Sequence, residues 1–202
     1  MAESETRVSR DTRLLILVIS VAVVVLFVLA QFRFPKAEVG LSTVTPAGLE
    51  RLAAQSNYDD LASAVQGMVA GEQDGVANMA NAASVIWETL PDINWVGFYR
   101  NVGGELVVGP FQGRPACIRI AFGDGVCGAA AQTRQVQRVD DVHAFPGHIA
   151  CDSASNSEIV VPIIRDGELL AVLDIDSPNH ARFDAEDEAG CVRLAEIMAQ
   201  AI

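Results

Sequence analysis

Apolar residues recur with two different periods along this chain. From Tyr58 to Ala70, Leu61, Val65 and Met68 fall at helical spacing, and Gly71 closes the run. Asp74 stands where an N-cap belongs, ahead of a second helix to Leu90 with Val76, Met79, Ala80, Ala83, Ile86 and Trp87 on one face. Pro91 stops it. The period then shortens to two. Trp95–Arg100, Glu105–Val108, Ile118–Phe122 and Gln135–Val139 are short, partly alternating runs separated by turn residues, which predict strands. The alanine-rich stretch Gly128–Thr133 between them predicts a helix. Ile159–Ile164 and Leu169–Ile175 flank Arg165-Asp166-Gly167-Glu168, and Asp-Gly between apolar runs predicts a hairpin. Asp184 caps a closing helix with Asp187 in its first turn. Helices on either side of hairpin-linked strands predict an α+β domain built on an antiparallel sheet.

A third pattern lies nearer the N-terminus. Leu14 to Phe32 is a run of 19 residues without a charge, in which only Ser20 and Gln31 are appreciably polar. As a helix it would measure about 28 Å, close to the roughly 30 Å of bilayer hydrocarbon. A buried core helix would carry a polar face, and this run has none. A cleavable signal peptide is the rival, since Val28-Leu29-Ala30 is an acceptable cleavage site, but Glu3, Glu5 and Asp11 precede the run. The expected organisation is a tail over residues 1–13, a transmembrane helix over 14–32, a linker over 33–55 punctuated by Pro35, Gly40, Pro46 and Gly48, and a domain over 56–202.

Charge narrows the partners. The formal net charge is −12, and residues 56–202 hold 8 Lys/Arg against 21 Asp/Glu. Such a domain repels phosphate backbones, which excludes nucleic acid and favours a cationic or zwitterionic small molecule.

The candidate chemistry lies in the cysteines. Cys191 sits in the closing helix, three before Leu194, and reads as a core residue. Cys117, Cys127 and Cys151 lie instead in Gly113-Arg114-Pro115-Ala116-Cys117, Gly125-Val126-Cys127-Gly128 and Pro146-Gly147-His148-Ile149-Ala150-Cys151-Asp152. No interval is Cys-x-x-Cys, and gaps of ten and 24 residues supply no paired metal ligands, even with His143 and His148 nearby. The remaining readings are a nucleophile with thiols to resolve it, or a structural disulfide if the domain is exported.

Three further strings complete a pattern: Asn94-Trp95-Val96-Gly97-Phe98-Tyr99, Ser157-Glu158-Ile159-Val160-Val161-Pro162 and Leu173-Asp174-Ile175-Asp176-Ser177-Pro178. With the cysteine phrases they resemble the free methionine-(R)-sulfoxide reductases, single GAF-domain enzymes, from about Ser56 to the C-terminus. The resemblance implies a GAF-like antiparallel sheet flanked by helices, and reduction of free methionine (R)-sulfoxide to methionine without metal or organic cofactor. It implies Cys151 as nucleophile, Cys117 as principal resolving thiol, Cys127 as an alternative one, and a thioredoxin-like protein as reductant. It places Trp95, Tyr99, Glu158, Asp174 and Asp176 in the substrate pocket, and leaves a homodimer open. His148, if charged and adjacent, would favour the Cys151 thiolate.

Negative charge near a thiol suppresses its thiolate, so the acids make sense if one carboxyl is protonated by its crowded neighbours and donates to the sulfoxide oxygen. The others would pair with the substrate's α-ammonium group. Asp124, where the family often shows lysine, would make the surroundings of Cys127 more negative. Recycling by a thioredoxin-like protein favours a single-pass membrane protein with a cytoplasmic domain, although the slight excess of basic residues before the apolar run points to export. The rival reading is a membrane-tethered GAF sensory module that binds a small ligand or senses oxidants through its thiols.

Overall fold

Asp166 and Gly167 make the turn that their sequence predicts. Both take positive φ, 52° and 81°, the conformation that a tight hairpin demands and that Asp-Gly tolerates. They join β5 (Ser157–Arg165) to β6 (Glu168–Ser177), with Arg165 opposite Glu168 and Ser157 opposite Ser177. In the computed structural model, which describes residues 46–147, 149 and 152–202, this hairpin lies within a six-stranded antiparallel sheet. The other strands are β1 (Trp95–Val102), β2 (Glu105–Gly113), β3 (Arg119–Ala121) and β4 (Gln137–Val139). Their order is β3-β2-β1-β6-β5-β4. The helices are α1 (Pro46–Val69), α2 (Gly75–Thr89), α3 (Gly125–Thr133) and α4 (Ala185–Ala201). A single α+β domain with an antiparallel sheet and flanking helices is therefore present.

The central strands bury both faces, for different purposes. Val96 and Phe98 of β1, Ile159, Val161 and Ile163 of β5, and Leu173 and Ile175 of β6 join one core with α1, α2 and α4. Their neighbours Trp95, Tyr99, Val160 and Val172 join a second core with α3. Period-two alternation makes this division, since successive side chains leave opposite faces. Each Leu or Ile fully withdrawn from water in the first core stabilises the fold by about 1.5–3 kcal/mol, which fixes the register of the strands that carry the second.

The helices are capped as their sequences predict. Asp74 accepts from the backbone N–H groups of Val76 and Ala77 at 2.8 and 3.1 Å. Asp184 and Asp187 form a reciprocal capping box at the start of α4. Asp187 also accepts the Tyr58 hydroxyl at 2.8 Å and the Arg182 guanidinium at 2.9 Å, tying α1 to α4. Burial pushes the Tyr58 hydroxyl far up its titration scale and the Cys191 thiol to about 12. Cys191 is fully buried in the core, as expected. Beside it, a Cβ on Gly190 would come within 2.1 Å of the Tyr58 ring, a contact that only glycine avoids. Gly190→Ala is expected to cost about 2 kcal/mol through overpacking, lowering the melting temperature by about 4–8 °C. Thermal unfolding by circular dichroism checks this, and an unchanged midpoint would refute the packing described.

Three expectations need correction. Helix α1 starts at Pro46, within the expected 33–55 linker: proline suits the first turn of a helix, where its missing N–H is no loss. On α2, Val76, Ala80 and Trp87 are exposed, and Asn78, Met79, Ala82, Ala83 and Ile86 are buried. The buried stripe differs from the expected one because a polar residue leads the inner face, where Asn78 Nδ2 donates to Ala201 O at 2.8 Å. The single-pass membrane location is also withdrawn. No helix among the described residues is long and apolar enough to cross a membrane; α1 has the length but carries Glu50, Arg51, Asp59 and Asp60. The run over residues 14–32 on which that location rested lies outside the described residues.

Candidate active site

Three adjacent strands put the acids side by side. Asp176 of β6 stands between Trp95 of β1 and Glu158 of β5, and Asp174 stands between Gly97 and Val160. Directly opposed residues in a ladder share a face, so all three carboxyls leave the sheet on the side of Trp95 and Tyr99. Leu173 and Ile175 anchor the same stretch of β6 from the other side.

The aromatic wall depends on a missing side chain. A Cβ on Gly97 would lie 2.5 Å from the Trp95 ring and 2.4 Å from Phe111 Cβ. The indole therefore lies over the bare backbone of Gly97, opposite Asp174. It stacks on Phe111 at 5.3 Å and on Tyr99 at 5.8 Å, and its N–H donates to Arg114 O at 3.1 Å. Ring stacking of this kind adds about 0.5–1.5 kcal/mol beyond burial and leaves the aromatic wall little freedom to move.

A cavity of about 400 Å³, counting its mouth, opens above the acids. Tyr99, Glu158, Asp174 and Asp176 line it with Ile120, Val126, Cys127, Ile149, Asp152 and Ser155. A smaller recess of about 210 Å³ shares Tyr99, Asp152, Asp174 and Asp176 and adds Trp95, Pro115 and Ala116. The five residues expected in the pocket thus meet in two adjoining spaces.

Burial governs the electrostatics. Glu158 and Asp174 are 7% and 5% exposed. Glu158 is pushed well above the usual carboxylate range by burial and by the charges of Asp174 and Asp176. Asp174 is pushed up to about 7 by burial, although hydrogen bonds with Cys127 and Glu158 pull the other way. Asp176 rises through burial and the charges of Asp174 and Asp152, while a hydrogen bond with Ser155 opposes it. With Glu158 and Asp174 buried and Asp176 half-buried beside them, ionising all three carboxyls at once is disfavoured, which favours keeping a proton in the site. Oxygen Oδ1 of Asp174 is buried with no hydrogen-bond partner among the described residues. A buried acceptor left unmatched costs about 1–3 kcal/mol, which a bound donor would recover. The site can therefore do two things: give a proton to an oxygen, and receive an ammonium group.

The thiols separate. Cys117 is half-buried beside this core and is disulfide-bonded. Cys127 is a buried free thiol in the first turn of α3, its Sγ 3.7 Å from Glu158 Oε1. Cys151 and His148 lie outside the described residues. The sulfur of Cys127 and one carboxylate oxygen each of Glu158 and Asp174 lie within 4.8 Å of one another. By residue type these are the set among the described residues that could hold a divalent ion. They come from α3, β5 and β6, and so form no sequence motif.

Asp152 and Ser155 of the lining, and Asn94 behind them, have no counterpart among the expected site residues. Asn94 Nδ2 donates to Asp152 Oδ2 at 3.2 Å and to Ser155 Oγ at 3.0 Å, holding the loop before β5 against the end of β1. Asp152 also accepts from Ala154 N at 2.9 Å and pairs with Arg114 at 3.5 Å. Asn94 opens the string that ends in Tyr99, and that position was the available signal. Asp124 is exposed, and the anions acting on Cys127 are Asp174, Glu158 and Asp176. The expected influence of Asp124 on that thiol is thus replaced by that of the pocket acids.

Comparison with known proteins agrees with this geometry. A family model described as GAF domain matches residues 73–202. The free methionine-R-sulfoxide reductase of Escherichia coli (strain K12) is 50% identical over 143 residues, 71% of this chain and 85% of that protein. The enzyme of the same name from Saccharomyces cerevisiae is 45% identical over 148 residues, 69% and 82% of the two chains. Among solved structures, the X-ray structure of free methionine-R-sulfoxide reductase from Neisseria meningitidis in complex with its substrate superposes with a TM-score of 0.70 at 45% identity, covering 73% of this chain and 89% of that one. A GAF domain whose acids and rings converge on one face of the sheet, 50% and 45% identical to two named enzymes, places this chain in the free methionine-R-sulfoxide reductase family.

Proposed function

We propose that this protein reduces free L-methionine (R)-S-oxide to L-methionine with Cys151 as nucleophile and Cys117 as resolving thiol, and that a thioredoxin-like dithiol protein restores both. The observation that carries the reading is the convergence of Glu158, Asp174 and Asp176, all pushed above the usual carboxylate range, beneath a wall of stacked rings. Sulfoxide reduction needs both parts. The Cys151 thiolate attacks the sulfoxide sulfur, the pocket acids protonate the oxygen, and thiol plus sulfoxide become sulfenic acid plus thioether. The Cys117 thiol then condenses with that sulfenic acid, releasing water and forming the disulfide. An external dithiol supplies the two electrons that the sulfoxide consumed.

Trp95 and Tyr99 offer the S-methyl group an apolar face. The ionised acids pair with the α-ammonium, which a peptide-bound residue lacks, and this gives preference for the free amino acid. That Cys117 takes part in a disulfide supports its assignment as resolving thiol.

The test uses the full chain, reduced, with dithiothreitol and the separate R and S epimers of free methionine sulfoxide. Multiple turnovers of the R epimer alone are expected, with free methionine as the product. No turnover by folded protein with titratable thiols would reject the reading in favour of a sensory module.

A further inference from the structure

Cys127 has the surroundings of a hydrogen-bond donor rather than of a redox thiol. To capture a sulfenic acid a thiol must reach it, and its reactivity tracks thiolate character and access. Cys127 lines the cavity but lacks the thiolate character. It is 5% exposed, and Val126, Ala130 and Ala131 of its own helix pack in the same apolar cluster. The groups facing it are anionic or neutral: Glu158 of β5, Asp174 and Asp176 of β6, and Tyr99 of β1. Its place in the first turn of α3 would favour a thiolate. Burial and the neighbouring acids outweigh that and push the thiol well above its ordinary range. In the same structure Cys117 is disulfide-bonded and Cys127 stays reduced.

What Cys127 offers is a proton on sulfur. Its Sγ lies 3.7 Å from Glu158 Oε1, and a carboxylate oxygen of Asp174 lies within 4.8 Å of the sulfur. We propose that Cys127 is a positioning residue for the proton-donating acids, its S–H holding the Glu158 carboxyl against Asp174 while the thiol stays reduced throughout the catalytic cycle. This rests on the reductase reading above. It gives the third cysteine of the site a role in the chemistry of the acids instead of in recycling.

Serine keeps a donor at position 127 and removes the sulfur, and valine fills the space without a donor. Turnover of the R epimer by the full chain should fall about tenfold or more in Cys127→Ala and in Cys127→Val. Cys127→Ser should recover at least about fivefold of that loss. The pH profile should respond as well. The hydrogen bond from Cys127 favours the ionised form of Glu158, so removing the donor raises its titration. The limb on which kcat/KM declines with rising pH should therefore move to higher pH in the alanine and valine variants and stay near its wild-type place in the serine variant. Equal impairment of serine and alanine would overturn the proposal. So would a Cys127–Cys151 disulfide, mapped by mass spectrometry, in Cys117→Ser after one equivalent of sulfoxide. A valine variant as active as wild type would overturn it too, because packing alone would then suffice. An infrared S–H stretch assigned by wild type minus Cys127→Ala reads the donation without turnover. It should sit at lowered frequency, and an unshifted band sinks the proposal even if the protein proves not to be a reductase.

Discussion

Cys151→Ser is expected to lower turnover of free methionine (R)-sulfoxide by at least about a thousandfold, and to leave binding of the substrate intact. Removing a nucleophile costs the whole covalent route, whereas the ring wall and acids that would hold the substrate remain. Cys117→Ser should behave differently. Without added thiol, the prereduced variant should release about one methionine per protein and then stop with its nucleophile as sulfenic acid. The wild type should also release one, but should lose two titratable thiols where the variant loses one. Quantifying methionine, titrating thiols and trapping the sulfenic acid with dimedone distinguish the three proteins. Sustained turnover by Cys151→Ser would remove that residue from the mechanism.

Asp174→Asn should separate stability from activity. Losing the carboxyl should reduce kcat/KM by about a hundredfold, in the range that general acid–base groups contribute. The folded protein should gain. Burial raises Asp174 from 3.8 to about 7. The folded state therefore binds this proton more tightly than the unfolded chain does. Its contribution to stability is fully present below pH 3.8 and is lost as pH rises through about 7. At pH 8, in the absence of substrate, the variant should unfold at a higher temperature than wild type, while at pH 5 the difference should shrink. Glu158 and Asp176 titrate upward for the same reason and act with the same sign. Thermal scans at both pH values beside steady-state rates decide the matter. A variant less stable than wild type at pH 8 would show that the carboxyl's hydrogen bonds outweigh the cost of burying it.

The parts of this protein that could be read from the sequence are those written locally. Asp166-Gly167 specifies its turn, Asp74 and Asp184 specify their caps, and alternation along β5 and β6 specifies which residues face which side. The acids at 174 and 176 could be placed on one face from spacing alone. Their meeting with Glu158 and Trp95 could not, because it depends on the pairing of three strands. β2 runs to Gly113, beyond the expected Val108, because Phe111, Gln112 and Gly113 pair with Gly97, Val96 and Trp95 of β1, and Pro110 falls at the register shift between the two paired stretches. The inner face of α2 differs from the expected one because Asn78 finds its partner 123 residues away, a fact with no local trace.

The interleaving of core and site on β6 also bears on how the chain reaches its fold. A slip of one residue against β1 or β5 would turn Asp174 and Asp176 toward α1, α2 and α4, and Leu173 and Ile175 into the wet cavity. Both errors are expensive, and both follow from the same displacement. The acids that serve chemistry in the finished protein thus act earlier as proofreaders of strand alignment, making a misaligned sheet unstable before any substrate arrives.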